Sequence, residues 1–183
     1  AVMVEVNCET DFVAREAQFI EFVQQVADLA LAHKTGDVAA LMAMPVKAGA
    51  DKTVEERRKE LVLKIGENLQ VRRVVYKQGE GVMGAYIHGG RIGVLVDMSA
   101  GDADLARDIA MHIVASQPLV VRAEELADDV LAKEREIFTA QALESGKPAE
   151  IAEKMVVGRI KKFLAEVSLY GQPFVKDPSQ TVE

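Results

Sequence analysis

The hydrophobic periodicity of this chain changes from that of a strand to that of a helix at Thr10-Asp11-Phe12-Val13, which we call the junction loop. Ahead of the loop, apolar residues occupy every second position, as on the buried face of a strand: Val2, Val4, Val6 and Cys8. Behind the loop, apolar residues recur at helical spacing: Phe19, Phe22, Val23, Val26 and Leu29. The sequence therefore predicts a strand that passes directly into an amphipathic helix.

The junction loop places a carboxylate beside a large aromatic side chain. The unpaired N–H groups and the positive dipole end of a helix N-terminus favour an anion, so we expect Asp11 to accept backbone hydrogen bonds there. Phe12 has two interpretations. Its spacing from Phe19 favours packing on the same apolar stripe, whereas an outward Phe12 would bury about 150 to 250 Å² against a partner. The sequence leaves both interpretations open.

A further helix is predicted to begin at Thr53. Thr53 and Glu56 have the spacing of a capping box, and Gly66 is suited to end the helix in a left-handed conformation. Ahead of this helix, Gly36 and residues 44–51 contain the small and turn-forming residues that are typical of connecting loops.

The middle of the chain is richer in strand patterns. They occur at three places: residues 69–75, 82–88 and 91–98. Gly89 and Gly90 suit the positive φ angles of a tight hairpin turn between the last two strands. A helical pattern follows at residues 104–116, before Pro118. Because strands and helices mix without strict alternation, the predicted fold class is α+β, with small antiparallel sheets covered by helices.

Apolar residues at helical spacing line two more helices: Leu126, Val130, Ile137 and Phe138 in one, and Ile151, Met155, Ile160, Phe163, Leu164 and Val167 in the other. Between them lies Ser145-Gly146-Lys147-Pro148, where Gly146 suits a helix end and Pro148 a helix start. We expect an antiparallel helical hairpin that protrudes as a coiled coil, although the pattern also fits helices packed on the core. The predicted organisation is 1–98 and 99–127 for the two halves of the core, 128–167 for the hairpin and 168–183 for the return to the core.

Composition disfavours several classes of protein. The net charge is −7 and no basic run is long, so general binding to a nucleic acid backbone is disfavoured. No apolar run reaches the roughly 18 to 20 residues of a membrane span. The single cysteine, Cys8, lies on an apolar face and is typical of a small buried side chain in a reducing compartment. We therefore expect a soluble cytoplasmic protein.

Two patterns suggest sites that the surrounding sequence does not support. Gly79-Glu80-Gly81-Val82-Met83-Gly84 matches a dinucleotide-binding string, but a hairpin rather than a helix follows it. His33, His88 and His112 lie on separate elements without companion ligands, which disfavours a metal site. No serine lies in a nucleophile motif and the acidic residues are dispersed, so neither catalysis nor a cofactor is predicted.

Several blocks of the sequence together resemble translation elongation factor Ts. They occur in the order of that family over nearly the whole chain, at residues 5–13, 64–68, 88–95, 109–112, 145–148, 151–155 and 171–175. The first block contains the junction loop, the second is Lys64-Ile65-Gly66-Glu67-Asn68, and the third begins His88-Gly89-Gly90-Arg91. The combination is far more specific than any single block.

The resemblance implies a guanine nucleotide exchange factor that binds elongation factor Tu in its GDP form, and not an enzyme. It also implies a bipartite core with a protruding helical hairpin. At matching positions, Thr10, Asp11, Phe12 and Val13 would disturb the magnesium region of the partner, with Phe12 wedged between two helices of the G domain. Three other residues would touch the same domain: Ile65, Gly66 and His88.

An alternative is a scaffold that binds a partner through the helical hairpin, residues 128–167, without accelerating exchange. Neither hypothesis needs a cofactor, a metal, a small-molecule substrate, or direct contact with nucleic acid or membrane, and both leave homodimer formation open. The sequence has no match to the small N-terminal helical module of the family or to its last core strand, so we expect both ends to be incomplete.

Overall fold

The computed structural model describes residues 1–144, 146 and 148–183, which form two compact units, Ala1–Glu80 and Gly81–Glu183. Each unit combines helices with small antiparallel sheets, which confirms the predicted α+β class. The boundary between the units lies ahead of the predicted β-hairpin, whereas the predicted segment 1–98 includes that β-hairpin. The four-segment organisation stays a prediction.

The first unit has five main elements: β1 (Val2–Asn7), α1 (Ala17–Ala32), α2 (Val38–Ala43), α3 (Val54–Ile65) and β2 (Gln70–Tyr76). β1 and β2 form an antiparallel pair whose apolar face packs against the helices. Fully buried apolar side chains from all three helices fill the centre: Phe22, Val26, Leu41 and Leu61. The predicted two-residue period of β1 and helical period of α1 are both confirmed, because Val2, Val4, Val6 and Cys8 contact the core that Phe19 and Phe22 also line.

Helix α2 is an element that the sequence analysis missed. It spans only Val38–Ala43, too short for a helical period to emerge from the pattern. Asp37 caps it, because its Oδ1 accepts the backbone N–H of Ala40 at 3.1 Å. The predicted capping box of α3 is confirmed, with Thr53 and Glu56 each accepting a backbone N–H of the other.

A β-bulge in the β1–β2 pair lets one carboxylate bind two successive arginines. Glu5 pairs with Arg73 in the ladder and Val6 with Val71, so Arg72 is the extra residue. Successive side chains of a regular strand point to opposite faces, but here Arg72 Nη1 and Arg73 Nε lie 3.0 and 2.6 Å from the Glu5 carboxylate. The hydrogen bond from Arg73 is the main cause of the lowered pKa of Glu5.

The second unit begins with a hairpin of β3 (Val82–His88) and β4 (Ile92–Met98), turned by Gly89 and Gly90 at φ 57° and 70° as predicted. The elements that follow are α4 (Ala103–Ser116), α5 (Asp128–Glu144), α6 (Ala149–Val167), β5 (Pro173–Phe174) and β6 (Asp177–Thr181). The hairpin packs on α4 at close range, since a Cβ built on Gly84 would lie 2.6 Å from Ala106. The glycine string that resembled a dinucleotide site therefore serves strand packing, and it runs directly into strand β3 rather than into a helix.

Helices α5 and α6 run antiparallel, because the contacts move towards the N-terminus of α6 as they move towards the C-terminus of α5. Phe138 packs edge-on against Phe163 with ring centroids 6.4 Å apart, and Gln141 accepts a hydrogen bond from Arg159 at 2.6 Å. Gly146 has the predicted positive φ, 66°, whereas Ser145 and Lys147 of the predicted break lie outside the described residues. Within the described ranges, none of the helices combines the length and apolar character that crossing a membrane requires.

A buried polar cluster ties α4 and α6 to the C-terminal segment. The backbone N–H of Val175 donates to His112 Nδ1 at 3.1 Å, so the ring proton belongs on Nε2, which lies 2.9 Å from Gln172 Oε1. The amide of Gln172 donates to two carbonyls at helix ends, Ser116 O at 3.2 Å and Glu166 O at 2.7 Å. His112 is thus a buried packing residue.

We expect Gly84→Ala to lower the free energy of unfolding by about 1 to 3 kcal/mol, because the added methyl group would overlap Ala106. Gly158→Ala in α6 is the matched control. Its Cβ would meet nothing within 4 Å, so helix propensity should stabilise the chain by about 0.5 to 1 kcal/mol. Urea unfolding followed by circular dichroism measures both, and equal effects would contradict the close strand–helix packing.

We also expect the stability of the first unit to depend on pH through Glu55. Two hydrogen bonds from the Arg58 guanidinium, at 2.8 and 2.7 Å, are the main cause that lowers the pKa of Glu55 from 4.5 to about 2. Since the folded state then binds this proton less readily than the unfolded state, the stabilisation is full above pH 4.5 and is lost towards pH 2. Glu55→Gln should reduce the slope of the unfolding free energy against pH across that window. Glu136→Gln, at an exposed site of α5, should leave that slope unchanged.

Candidate functional site

The junction loop leads from β1 into a 3₁₀ turn (Val13–Arg15) before α1 begins at Ala17. The prediction that Asp11 caps the helix is wrong, because its carboxylate instead lies 3.5 Å from the Arg15 guanidinium. Glu16, in extended conformation with ψ 135°, separates the 3₁₀ turn from α1 and makes no side-chain cap. The Thr10 hydroxyl accepts the N–H of Val13 at 3.4 Å, so Thr10 rather than Asp11 bonds the first turn.

Neighbouring residues of the loop face in opposite directions. The side chain of Val13 is buried in the core of the first unit, whereas Phe12 is 83% exposed. Phe19 is buried, so Phe12 does not share its apolar stripe, and the core interpretation of Phe12 is wrong. The reason is local: the 3₁₀ turn and the extended Glu16 break the helical register between the two aromatic residues.

Glu67 holds the base of the junction loop. Helix α3 ends at Gly66 in a left-handed conformation, φ 83°, and the chain turns so that Glu67 faces the end of β1. Its carboxylate accepts the backbone N–H groups of Glu9 and Thr10 at 3.1 and 3.0 Å and the Thr10 hydroxyl at 2.6 Å. In return, Glu9 Oε1 accepts the N–H of Asn68 at 3.2 Å, so the two chain segments bind each other reciprocally.

The thiol beside this cluster serves packing. Cys8 contacts the core, and its Sγ lies 3.2 Å from the carbonyl oxygen of Thr10. Burial, with a smaller contribution from the negative charge of Glu67, raises the pKa of the Cys8 thiol. A thiol kept protonated is a poor nucleophile and a poor metal ligand, in agreement with its interpretation as a small apolar side chain.

The structure brings the junction loop together with the end of α3, where Ile65 is half-buried against the core and Gly66 is exposed. His88 lies in the second unit, exposed on β3, with its Nδ1 3.1 Å from the hydroxyl of Tyr86. Sequence reasoning missed Glu67 as part of the site. Its one signal was its place directly after the helix-ending glycine, where the chain must turn back.

The arrangement is suited to contact rather than to bond-making chemistry. Phe12 offers an aromatic surface, and beside it Asp11 and Arg15 offer a solvent-exposed ion pair. In the part of the chain that the structure describes, no three His, Cys, Asp or Glu side chains are grouped so that they could hold a metal ion. The outward face of the loop thus presents an exposed ring and an exposed ion pair.

Comparison with known proteins gives one consistent family. The family model for "Elongation factor TS" matches residues 9–183. The elongation factor Ts of Nitrosomonas eutropha is 55% identical over 181 residues, which is 99% of this chain and 61% of that protein. The proteins of the same name from Thioalkalivibrio sulfidiphilus and Alcanivorax borkumensis are each 55% identical over 100% of this chain, which corresponds to 62% and 63% of their own lengths.

This chain thus spans about three fifths of the length of these relatives. The resemblance inferred from separate sequence blocks is confirmed by a match that runs almost from end to end. The family model and the relatives together show that this chain belongs to the elongation factor Ts family.

Proposed function

We propose that this chain is a guanine nucleotide exchange factor that binds elongation factor Tu in its GDP form and promotes GDP release during translation elongation. The observation that carries the proposal is the exposed ring of Phe12, 83% accessible on a loop whose two flanks are anchored. Membership of the elongation factor Ts family supports the choice of partner. The chain would act by binding alone, so we infer neither enzymatic chemistry nor a cofactor.

The exposure of Phe12 is informative because it brings no gain to the fold. Apolar surface contributes about 25 cal/mol per Å² when it leaves water, and Phe12 leaves almost all of its ring in water. Buried in a partner, such a ring covers about 150 to 250 Å² and has the size of a binding hot spot. We therefore propose that Phe12 inserts into the partner, beside the region that holds magnesium and phosphate.

Exchange follows from linkage between two binding equilibria. If the chain binds nucleotide-free elongation factor Tu more tightly than the GDP form, it must weaken GDP binding by the same factor. Typical couplings of about 1 to 3 kcal/mol correspond to roughly 5- to 150-fold changes in affinity. Displacing Mg²⁺, the largest local charge of a nucleotide site, is a direct way to obtain such coupling.

We propose that the remaining predicted site residues extend this contact. Asp11 is half-exposed next to Phe12, and Gly66, which directly precedes Glu67, is exposed at the surface. Val13, whose side chain is buried, would act by anchoring the loop. Ile65 and His88 complete the proposed contacts with the G domain, the latter from the β3–β4 hairpin of the second unit.

A second candidate function rests on the helical hairpin. Large apolar side chains are exposed along α5 and α6: Ile137, Leu143, Ile151 and Val157. The exposure of these side chains supports a protein-binding surface on the hairpin. A scaffold that binds through this surface alone would bind elongation factor Tu without accelerating GDP release, which distinguishes it from the exchange factor.

We propose a cytoplasmic site of action, with no direct role for nucleic acid, membrane or a small-molecule substrate. The net charge of −7 supports a protein partner over a phosphate backbone. The proposal leaves homodimer formation open.

We expect Phe12→Ala to slow chain-stimulated GDP release at least tenfold, because it removes the proposed hot-spot ring. Its unfolding free energy should change by no more than about 0.5 kcal/mol, since the ring is exposed. Phe19→Ala is the matched control: the same substitution at a buried position should cost about 3 to 5 kcal/mol of stability. The measurement is stopped-flow release of fluorescent GDP from purified elongation factor Tu.

Wild-type rates with Phe12→Ala would overturn the role of the ring. If the wild-type chain itself binds elongation factor Tu but leaves the release rate unchanged, the scaffold hypothesis replaces the exchange factor.

A further inference from the structure

We propose that Glu67 is the positioning residue of the exchange site: its carboxylate fixes the junction loop so that Phe12 points outward before the partner arrives. This inference rests on the proposed exchange function. Glu67 itself does not belong to the predicted contact set of the loop, and it acts through Thr10.

The carboxylate uses both of its oxygens. Oε2 accepts the backbone N–H groups of Glu9 and Thr10, and Oε1 accepts the Thr10 hydroxyl at 2.6 Å. Hydrogen bonds to an ionised acceptor are shorter and stronger than neutral ones. Three such bonds converge on two consecutive residues, and they restrict the rotation of Thr10.

Fixing Thr10 fixes the turn that carries Phe12. The Thr10 hydroxyl that donates to Glu67 also accepts the N–H of Val13, and the Thr10 carbonyl accepts the N–H of Ala14 at 3.2 Å. Val13 is in addition held by the core. Phe12 therefore lies in a turn that is anchored at Thr10 and Val13. Because packing does not orient an exposed ring, the backbone of this turn sets its outward direction.

Positioning of this kind matters for exchange because an ordered loop loses less entropy on binding than a mobile one. A wedge that must find its orientation only after contact would bind the partner more weakly and displace the nucleotide more slowly. The turn at Gly66 supplies the carboxylate, so the end of α3 contributes to the site through Glu67 as well as through its own surface.

The first test compares Glu67→Ala, Glu67→Gln and Glu56→Ala in the full chain. Glu67→Ala should lower the maximal rate of GDP release from elongation factor Tu roughly tenfold, a typical consequence of a displaced contact. Glu67→Gln keeps an oxygen that accepts both backbone N–H groups and should restore most of the rate. Glu56→Ala removes an equal charge and a capping-box bond at the opposite end of α3, and should keep the wild-type rate.

The second test reports loop order without any partner. The sequence contains no tryptophan, so Phe12→Trp introduces a single tryptophan at the wedge position, which can be excited selectively over the three tyrosines. Its nanosecond anisotropy decay should show a restricted side chain in the Phe12→Trp chain and faster, wider motion when Glu67→Ala is added. Glu56→Ala should leave the decay unchanged.

The outcomes separate the two proposals. Unchanged anisotropy with Glu67→Ala, or a failure of Glu67→Gln to rescue the rate, would overturn the positioning role. If Glu67→Ala mobilises the loop but the wild-type chain does not accelerate GDP release, the exchange function fails while the positioning of Phe12 by Glu67 is supported.

Discussion

One carboxylate, that of Glu67, bonds the backbone beyond the end of the β1–β2 pair, where the junction loop begins. The ladder ends at Asn7 and Gln70, beyond which the backbone donors of β1 have no partner strand. Glu67 accepts the N–H groups of Glu9 and Thr10, which follow shortly after the last ladder residue of β1. Because Gly66 turns the chain with a positive φ, this acceptor comes from the residue that follows a helix end rather than from a strand.

The candidate site joins a highly exposed ring to a buried neighbouring residue. Phe12 is exposed while the next residue, Val13, belongs to the same core as Phe22 and Leu61. The fold thus has to obtain its stability without the largest apolar side chain of the loop, and it does so with three helices that bury their apolar faces against one two-stranded sheet.

Sequence reasoning succeeded where the determinants are local. The period of β1 and α1, the capping box of Thr53, the helix end at Gly66 and the Gly89-Gly90 turn each depend on a few neighbouring residues, and all were confirmed. It failed where distant residues decide. The start of the junction loop is bonded by Glu67, 57 residues from Thr10, and the buried ring of His112 is bonded by Gln172, 60 residues away. No pattern along the chain encodes such pairs, and the β-bulge that supplies the extra Arg72 is likewise set by pairing.

The two units rely on different kinds of interaction. The buried side chains of the first unit are large and apolar, as with Phe22 and Leu41, whereas several of those in the second are alanines, such as Ala106 and Ala110. Small side chains let β3 approach α4 closely but bury little apolar area. The cluster of His112 and Gln172 supplies directional bonds in their place, and each of its groups is costly to leave unpaired. The second unit therefore combines a few large buried side chains, Leu126, Ile160 and Leu169, with these satisfied polar contacts.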